Sequence, residues 1–359
     1  MATVEKTSAL EWISQKIDLT EKSDLIAFFE SNIWEGKIGS VVYARKYERN
    51  PSGSANIWAA KAKRSQKIVS SYVAMPWKFR VLGEEQLAMQ CCDVFTSFRF
   101  RGLDIYASQD KEAPDYFKGK NVAFFFAFPN ANAVAGHQKA GWQKIGRLQR
   151  WVKVLKSEHI FKKLIKNKFL SRLTGAIVDF ILLLFSKEKW ISGTGYETVE
   201  IQVCDEKFDQ LWRSESSHYG ILAVRDAKYL NWRYLQSPKK NKTILAIKQS
   251  EKILGYAVLE IEENFGAIVD IFSKKDETVI AVLVAQSLKY FHRNNVATVS
   301  YCALEKDFYL SQLSRFGFQM RENSSVLMGT PVDHSDTKTI FTPENWHITL
   351  GDCDIESVL

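Results

Sequence analysis

Two arginines and a glycine stand where a strand-like segment passes into a helix-like one. Residues 87–95 form an apolar, strand-like run, and a helix-like segment begins at Asp104. Arg99, Arg101 and Gly102 lie between them. The first N–H groups of a helix have no partner within the helix, and the helix dipole favours anions there. Because arginine adds paired donors and glycine lets the backbone approach a ligand closely, this turn is typical of a phosphate site.

Length and composition are those of a globular protein with room for two cores. The chain has 359 residues, 46% hydrophobic and 25% charged, with a net charge of +8 that suits an anionic ligand. The five cysteines show no CxxC pair and the six histidines no HxxxH spacing, so we expect no metal site. The first residues lack the apolar segment of a secretion signal, and no stretch is apolar enough to span a membrane. We therefore expect a cytoplasmic protein with reduced thiols.

Strands and helices alternate through the first half of the sequence. Residues 121–129 are a continuous apolar run, which favours a strand buried on both faces. Hydrophobic patterns predict strands over 56–63, 67–82, 85–96, 121–129 and 142–155, and helices over 104–117 and 130–140. This order predicts a mixed α/β sheet.

The sequence from 151 to 193 has a different character. Residues 151–173 hold seven Lys or Arg against one acid, Glu158, with apolar residues between them. One interpretation is a basic amphipathic helix on an anionic membrane surface, with the contact made by residues 151–185. The other is a helical connector between domains with a solvated basic face, which the composition favours.

The second half repeats the first. In each half a tyrosine stands four residues before a turn proline, Tyr47 before Pro51 and Tyr234 before Pro238. Predicted strands over 242–248, 252–262, 267–272 and 297–303 follow, with a helix over 276–294. Such self-similarity at long spacing indicates an internal duplication.

Two motifs in the first half resemble those of the GCN5-related N-acyltransferases (GNAT). The Arg and Gly of Arg99-Phe-Arg-Gly102 match that family's pyrophosphate loop. Asn130, Ala133 and the Gly141-Trp142 pair match its motif after the next strand. Together they make the chain similar to tandem GNAT proteins of bacterial polysaccharide loci.

The resemblance implies an α/β (α+β) fold of two GNAT-like domains. Each would be a mixed, mostly antiparallel twisted sheet flanked by helices. The expected ranges are 1–150 for an acyl-CoA-binding domain, 151–193 for the connector, 194–333 for a degenerate second domain and 334–359 for a tail.

The resemblance also implies a donor site for acetyl-CoA or another acyl-CoA as co-substrate. The pyrophosphate would lie over the basic turn, and the pantetheine arm would add to the strand before it. The residues it assigns to acyl-CoA are Val94, Phe95, Thr96, Arg99, Phe100, Arg101, Gly102, Leu103 and Asn130. For Asn130 a helix N-cap is the alternative that its residue type favours.

Two residues take catalytic roles under the same resemblance. Asp93, on the central strand, is the candidate base, and a buried structural carboxylate is the alternative. His137 stands where the family usually has a tyrosine acid, and a structural histidine is the alternative there. Tyr47, Trp77 and Glu84 are the candidates for contact with the acceptor.

Some residues depart from the family pattern. Asp104 stands where a second small residue is expected, and its carboxylate would repel pyrophosphate if it faced the ligand. Phe100 is bulkier than usual. The second half has no Arg-x-x-Gly turn and carries Leu313 at the proton-donor position, so we expect it not to use CoA.

The resemblance thus predicts an N-acyltransferase that moves an acyl group, most simply acetyl, to a primary amine. The acceptor it implies is a small-molecule amine, with a nucleotide- or lipid-linked amino sugar as the extension. No nucleic-acid signature accompanies the basic residues. The alternatives are a non-catalytic binding or scaffold protein and a Fem-like aminoacyltransferase.

Overall fold

The computed structural model describes residues 10–18, 21–34, 39–157, 174–175, 177–180, 184, 186–332 and 337–354. Two compact units divide the chain. The first comprises residues 1–79, 84–145 and 326–342, and the second residues 80–83, 146–325 and 343–359. These units do not coincide with the expected ranges, because residues 326–331 join the first unit and the strand residues from 146 onwards join the second.

Up to residue 142, the described part of the chain contains five strands and four α-helices. They are β1 (Trp12–Lys16), β2 (Asn56–Ala62), β3 (Ile68–Val81), β4 (Glu84–Thr96) and β5 (Val122–Ala127), with α1 (Lys22–Asn32), α2 (Gly39–Tyr43), α3 (Ile105–Phe117) and α4 (Ala131–Lys139). All seven segments predicted for this half have their counterpart in the structure, the last of them in β6 (Gln143–Val154). Helix α3 runs through Pro114 without a break.

The remaining strands are β7 (Glu197–Ile201), β8 (Ile221–Ala223), β9 (Lys242–Gln249), β10 (Lys252–Glu262), β11 (Phe265–Ser273), β12 (Thr298–Leu304), β13 (Gln319–Pro331) and β14 (Trp346–His347). The remaining helices are α5 (Lys187–Trp190), α6 (Glu206–Glu215), α7 (Ala227–Leu230), α8 (Glu277–Arg293), α9 (Phe308–Arg315) and α10 (Thr337–Ile340).

The first unit is built on a mixed sheet with the strand order β1-β2-β3-β4-β5-β13. Its β4–β5 pair is parallel, whereas β1–β2, β2–β3 and β5–β13 are antiparallel. Phe124, Phe125 and Phe126 on β5 are all fully buried, as the continuous apolar run predicts. The core side chains of Trp58, Tyr72 and other buried residues lie under α3.

The second unit repeats this arrangement. Its strands have the order β6-β12-β11-β10-β9-β7, in which β11–β12 is parallel and the other neighbouring pairs are antiparallel. The long apolar face of α8 is buried. Each unit thus has mixed, mostly antiparallel strands flanked by helices, and the predicted α/β fold class is confirmed.

The duplication extends to an uncommon local structure. A five-residue π-helix spans Ala44–Glu48 in the first unit, and another spans Asn231–Leu235 in the second. Each carries the repeat tyrosine, and each tyrosine donates its hydroxyl hydrogen to an aspartate on the central strand. Tyr47 bonds Asp93 on β4, and Tyr234 bonds Asp270 on β11 at 3.2 Å. Because π-helices are rare, this shared detail makes a common origin the simplest account.

The second unit holds a fully buried group of three charges. Arg225 donates from Nε to both oxygens of Asp270 at 3.2 Å and from its terminal nitrogen to Oδ2 of Asp352 at 2.7 Å. The guanidinium also donates to the carbonyl of Ala223 at 2.8 Å. All three side chains are essentially inaccessible to water. A buried charge without its partner costs several kcal/mol, so these residues depend on one another.

Replacing Arg225 with methionine should therefore destabilise the second unit by about 3–5 kcal/mol, because two carboxylates lose their shared cation. Urea unfolding followed by tryptophan fluorescence would measure this loss. The matched control is Arg213→Met, which breaks an exposed pair with Glu206 and should change stability far less, because water screens that pair. Equal effects of the two substitutions would contradict this account.

Candidate active site of the first unit

A cavity of about 240 Å³ lies at the N-terminus of α3. We call it the α3 cavity. Its walls come from the end of β4, the turn before α3, the first turn of α3 and one face of α4. The lining residues are Thr96, Phe100, Arg101, Gly102, Asp104, Ile105, Tyr106, Ala107, Gly136 and Lys139.

The cavity has the donors that a phosphate group needs. The first intrahelical bond at this end of α3 runs from the Ser108 N–H to the Asp104 carbonyl at 2.9 Å. The preceding N–H groups, from Ile105 to Ala107, belong to the unbonded first turn and line the cavity. Arg101 and Lys139 add positive charge there. This arrangement fits an anion such as pyrophosphate.

Gly102 shapes the turn that carries these donors. Its φ is +79°, a left-handed conformation that favours glycine, and no atom lies within 4 Å of the place where a Cβ would stand. The backbone is therefore open to a ligand on that side. Arg101 is held nearby, since its Nε donates to the Thr96 carbonyl at 3.1 Å and its guanidinium lies over the Phe95 ring.

The residues expected to bind acyl-CoA divide into two groups. Thr96, Phe100, Arg101 and Gly102 line the cavity. The others lie near it but outside its lining: Arg99 is exposed in the short 3-10 helix Phe98–Phe100, Leu103 packs against a small apolar cluster, and Phe95 packs edge-on against Phe28. The family resemblance matched Arg99 to the arginine of the pyrophosphate loop, whereas in the structure Arg101 is the arginine that lines the cavity.

Asn130 is a helix cap. Its side-chain oxygen accepts hydrogen bonds from the N–H groups of Asn132 and Ala133, both at 3.1 Å, at the start of α4. The capping interpretation of this residue is therefore the one that the structure supports.

Asp104 is one of the residues that line the cavity. It is the N-cap of α3 in a left-handed conformation with φ of +55°, and its side chain makes no capping hydrogen bond. Aspartate tolerates this conformation better than most residues. Its carboxylate is exposed and belongs to the cavity lining, so it opposes the charge of a bound anion.

The strand before the cavity extends beyond its partner. Pairing of β4 with β5 runs from Leu87 opposite Val122 to Gln90 opposite Phe126, and β4 continues to Thr96. Val94 and Thr96 therefore lie on a part of β4 that extends past the last pair and past the end of β5 at Ala127. Asp93 has a φ of +46° within this segment and bends the strand there. Two parallel strands that part in this way expose backbone groups to which an extended ligand can add.

Asp93 is held by two neighbours on the π-helix. Lys46 donates to Asp93 Oδ2 at 2.6 Å, and Tyr47 donates to the same oxygen. The Asp93 side chain is 7% exposed. Burial raises the pKa of this carboxyl, but the attraction of Lys46 and the hydrogen bonds from Lys46, Tyr47 and Cys92 outweigh burial and hold it below the usual 3.8. Asp93 is thus ionised at neutral pH.

His137 is buried on the inner face of α4. Its Nδ1 lies 2.6 Å from the hydroxyl of Tyr106 on α3, and its ring packs against Trp142. Burial lowers the pKa of His137 to about 4. The imidazole is therefore neutral at pH 7 and has no imidazolium proton to give, so Tyr106 is the hydroxyl group that this pair presents to the cavity.

Tyr106 and Asp110 were not singled out from the sequence. Tyr72 donates to Asp110 Oδ1 at 2.9 Å, and Asp110 Oδ2 lies 3.8 Å from His137 Nδ1. Burial raises the pKa of Asp110 to about 7, although hydrogen bonds from Tyr72, Tyr106 and Trp142 oppose the shift. The spacing of Tyr106 and Asp110, four residues apart on one face of a helix, is the signal that could have found them.

The three residues expected to contact an acceptor do not lie together. Tyr47 is buried and bonded to Asp93, and Trp77 is buried against Phe126. Glu84 begins β4, nine residues before Asp93, which is about 30 Å along an extended strand. Of the three, only Tyr47 is placed at the candidate site.

The likeness of this chain to known proteins lies in its structure and not in its sequence. Its sequence matches no protein-family model and no curated protein. Its structure resembles a probable N-acyltransferase of unknown function from Enterococcus faecalis V583 (TM-score 0.65, 12% identity, 90% of this chain and 73% of that one). It also resembles a GCN5-related N-acetyltransferase from Anabaena variabilis (TM-score 0.65, 13% identity, 90% and 73%). A third match is the tandem GNAT protein of the clavulanic acid biosynthesis pathway (TM-score 0.52, 10% identity, 91% and 100%).

This chain has a GNAT fold. The predicted resemblance is confirmed, since GNAT proteins, one of them a tandem protein, match about nine-tenths of the chain. At these identities the likeness shows the fold. Of the two sequence motifs that resemble the family, the basic turn lies between β4 and α3. The other follows β5 and contains α4.

The described part of the second GNAT-like unit differs from the first at the position of the α3 cavity. Its counterpart of α3 is α8, whose N-cap Asp276 accepts hydrogen bonds from the N–H groups of Thr278 and Val279. These two donors are therefore already used. The counterpart of His137 is Leu313, which is fully buried on α9.

The expected membrane contact of residues 151–185 stays a prediction. Residues 158–173 lie outside the described part of the chain. Ile177, Phe180 and Leu184 are exposed apolar side chains. Among the described residues, no helix is both long and apolar enough to cross a membrane.

The raised pKa of Asp110 predicts a pH dependence of stability. The folded state holds this proton up to about pH 7, whereas the unfolded chain releases it near pH 3.8, so stability falls as pH rises between these values. Asp110→Asn keeps the acceptor for Tyr72 and removes the charge. Relative to the wild type it should gain stability between pH 5 and pH 8, on the order of 3 kcal/mol.

Urea unfolding at several pH values would measure this gain. The control is Asp115→Asn on the same helix, where the carboxylate is exposed and no such pH-dependent gain is expected. A difference between Asp110→Asn and the wild type that does not change with pH would contradict the assignment.

Proposed function

We propose that the first unit transfers an acyl group, most simply acetyl, from acyl-CoA to a primary amine by direct attack on the thioester. One observation carries the proposal. The phosphate-binding end of α3 lies directly after the segment of β4 that has parted from β5. A nucleotide-linked thioester needs these two features side by side: a site for its pyrophosphate and an edge along which its extended arm can bind.

The donor would be held mainly by backbone groups and one arginine. The first-turn N–H groups of α3 and Arg101 would take the pyrophosphate, and Gly102 would let it approach. Backbone groups of Val94 and Thr96 would bond the pantetheine arm, and an N–H of this segment can stabilise an oxyanion at the thioester carbonyl. The names of the matched GNAT proteins support acyl-CoA as the donor, as does a match to a yeast N-myristoyltransferase with bound myristoyl-CoA (TM-score 0.55, 12% identity).

Asp93 would receive the proton that the amine loses. It is ionised at neutral pH and lies on the same segment of β4, three residues before Thr96. Because Lys46 lowers its basicity, we expect Asp93 to act on an acceptor ammonium that it attracts, directly or through water. Tyr47 and Lys46 would hold the carboxylate in position.

Tyr106 would stabilise the departing thiolate. Burial raises the pKa of Tyr106 well above its usual value of 10, so the hydroxyl keeps its proton at neutral pH. The hydroxyl also bonds Asp110, and it would turn from that carboxyl to the sulfur while His137 donates to its oxygen from Nδ1. Since a thiol is more acidic than this phenol, the expected contribution is a hydrogen bond, and solvent later supplies the proton.

The acceptor class we propose is an amino sugar, such as a nucleotide- or lipid-linked precursor of a surface polysaccharide. A Fem-like aminoacyltransferase would need a tRNA-linked donor, and the α3 cavity offers a pyrophosphate site instead. A non-catalytic binding protein would bind acyl-CoA without turnover or not bind it. The experiments below separate these outcomes.

Removal of the Arg101 charge should weaken acetyl-CoA binding. Titration calorimetry with Arg101→Ala should show a dissociation constant about 10- to 100-fold higher than that of the wild type, because a charge-assisted contact to phosphate is worth roughly 1.5–3 kcal/mol. The control Arg64→Ala removes an exposed charge in the turn between β2 and β3 and should leave affinity unchanged. No binding by the wild type would overturn the proposal.

Asp104 should limit the affinity for acyl-CoA. Asp104→Asn keeps a residue that tolerates the left-handed conformation and removes the negative charge from the cavity. Acetyl-CoA should bind several-fold more tightly, since like charges near a surface repel by about 1 kcal/mol or less. The effect should shrink with added salt. Weaker binding by Asp104→Asn would show that the carboxylate does not face the ligand.

Loss of the Tyr106 hydroxyl should slow turnover. Tyr106→Phe should lower kcat about 10- to 100-fold and change the affinity for acetyl-CoA little, because the hydroxyl acts on the leaving group. Release of free thiol measures the rate with an amine acceptor. Tyr116→Phe, at an exposed position of the same helix, is the matched control. Full activity of Tyr106→Phe would remove this role.

A further inference from the structure

The second unit contains the same parting of two parallel strands. By order and pairing, β11 and β12 are the counterparts of β4 and β5. Their pairing runs from Phe265 opposite Thr298 to Ile268 opposite Tyr301. Beyond this point β11 continues to Ser273 and β12 to Leu304. The two strands therefore leave a split at the position that corresponds to the proposed pantetheine site of the first unit.

The chain itself bridges this split. The carbonyl of Ile348 accepts from the Leu304 N–H at 3.2 Å, and Thr349 forms an antiparallel bridge with Ala303, so the segment adds to β12. On the other side, His347 Nε2 bonds the carbonyl of Ile271 on β11 at 2.9 Å. One extended segment thus bonds both strands, as an extended ligand in such a split would.

Side chains fasten the segment at both ends. Thr349 donates from Oγ1 to Asp270 at 3.0 Å, and Asp352 pairs with Arg225 at 2.7 Å. At the other end, His347 Nδ1 lies 2.6 Å from Asp307. Residues 346–352 are all at least nine-tenths buried.

The backbone at Gly351 lies too close to the floor of the split for any side chain. A Cβ at this position would overlap the hydroxyl of Tyr234, and Cβ of Asp270 would be 3.2 Å away. The Gly351 carbonyl accepts from Tyr229 Oη and from Arg233 Nε, both at 3.1 Å. Tyr234 and Asp270 are the counterparts of Tyr47 and Asp93, so the segment reaches the place that corresponds to the proposed reaction centre.

We propose that the split of the second unit is a peptide-binding groove and that residues 346–352 of the same chain are its resident ligand. The assignment of the corresponding split in the first unit to acyl-CoA rests on the proposed function. The groove takes a segment that is extended up to Thr349 and then turns through the 3-10 helix Leu350–Asp352, with a glycine at 351 and a carboxylate at 352. It follows that each chain binds one acyl-CoA, in the first unit.

Hydrogen–deuterium exchange of the full chain, with and without acetyl-CoA, tests this proposal. The amides of residues 349–353 and of Leu304 should exchange at least about a thousand-fold more slowly than in a free peptide, because their opening requires loss of buried structure. Saturating acetyl-CoA should leave these rates unchanged and should slow exchange at residues 94–96.

Gly351→Val should raise exchange at residues 349–353 and at Leu304 towards the peptide rate, since the new side chain cannot fit beside Tyr234. Glu344→Gln, in an exposed pair with Lys306 just before the segment, should keep full protection. If Gly351→Val does not fold, Thr349→Val, which removes the bond to Asp270, should raise exchange there by a smaller factor of about ten.

Two results would overturn the proposal. One is rapid exchange of residues 349–353 in the unaltered chain. The other is release of the segment by acetyl-CoA, with two equivalents bound per chain. Protection of the segment together with no acetyl-CoA effect at residues 94–96 would support the groove while contradicting the proposed function of the first unit.

Discussion

The parting of two parallel strands is the feature on which the rest of this structure depends. Hydrogen bonds hold β4 to β5 up to Gln90 and Phe126, and beyond that point the backbone groups of β4 need another partner. The same requirement exists in the second unit beyond Ile268 and Tyr301. Buried backbone N–H and C=O groups that have no partner in a neighbouring strand must form hydrogen bonds with a ligand, with water or with another segment of protein.

The two units share the same local structure, but their central strands obtain further bonding partners in different ways. Each has a π-helix whose tyrosine bonds an aspartate on the central strand. In the first unit that aspartate is paired with Lys46, close to a cavity with free helix N–H groups. In the second, Asp270 is paired with Arg225, which also binds Asp352 of the C-terminal segment. One copy is thus suited to a ligand, and the other is completed by its own chain.

Local sequence patterns predicted much of this. The basic turn, the Asn130 cap, the apolar strand 121–129 and the tyrosine repeat all depend on residues close together in the chain. Three features could not be predicted in this way, because they depend on contacts between distant residues: the hydroxyl of Tyr106 beside His137, the pairing of β13 with β5, and the C-terminal segment between β11 and β12. Arg99 lies within the 3-10 helix Phe98–Phe100, whereas Arg101 follows that helix and lines the cavity. The motif alone does not specify this difference.

The most direct test of the central claim is a crystal structure of the full chain with bound CoA. The account predicts one CoA per chain, with its pyrophosphate within hydrogen-bonding distance of the N–H groups of residues 105–107 and its pantetheine arm along residues 94–96. Electron density for CoA in the second unit, with residues 346–352 displaced, or at a site away from the N-terminus of α3, would contradict it.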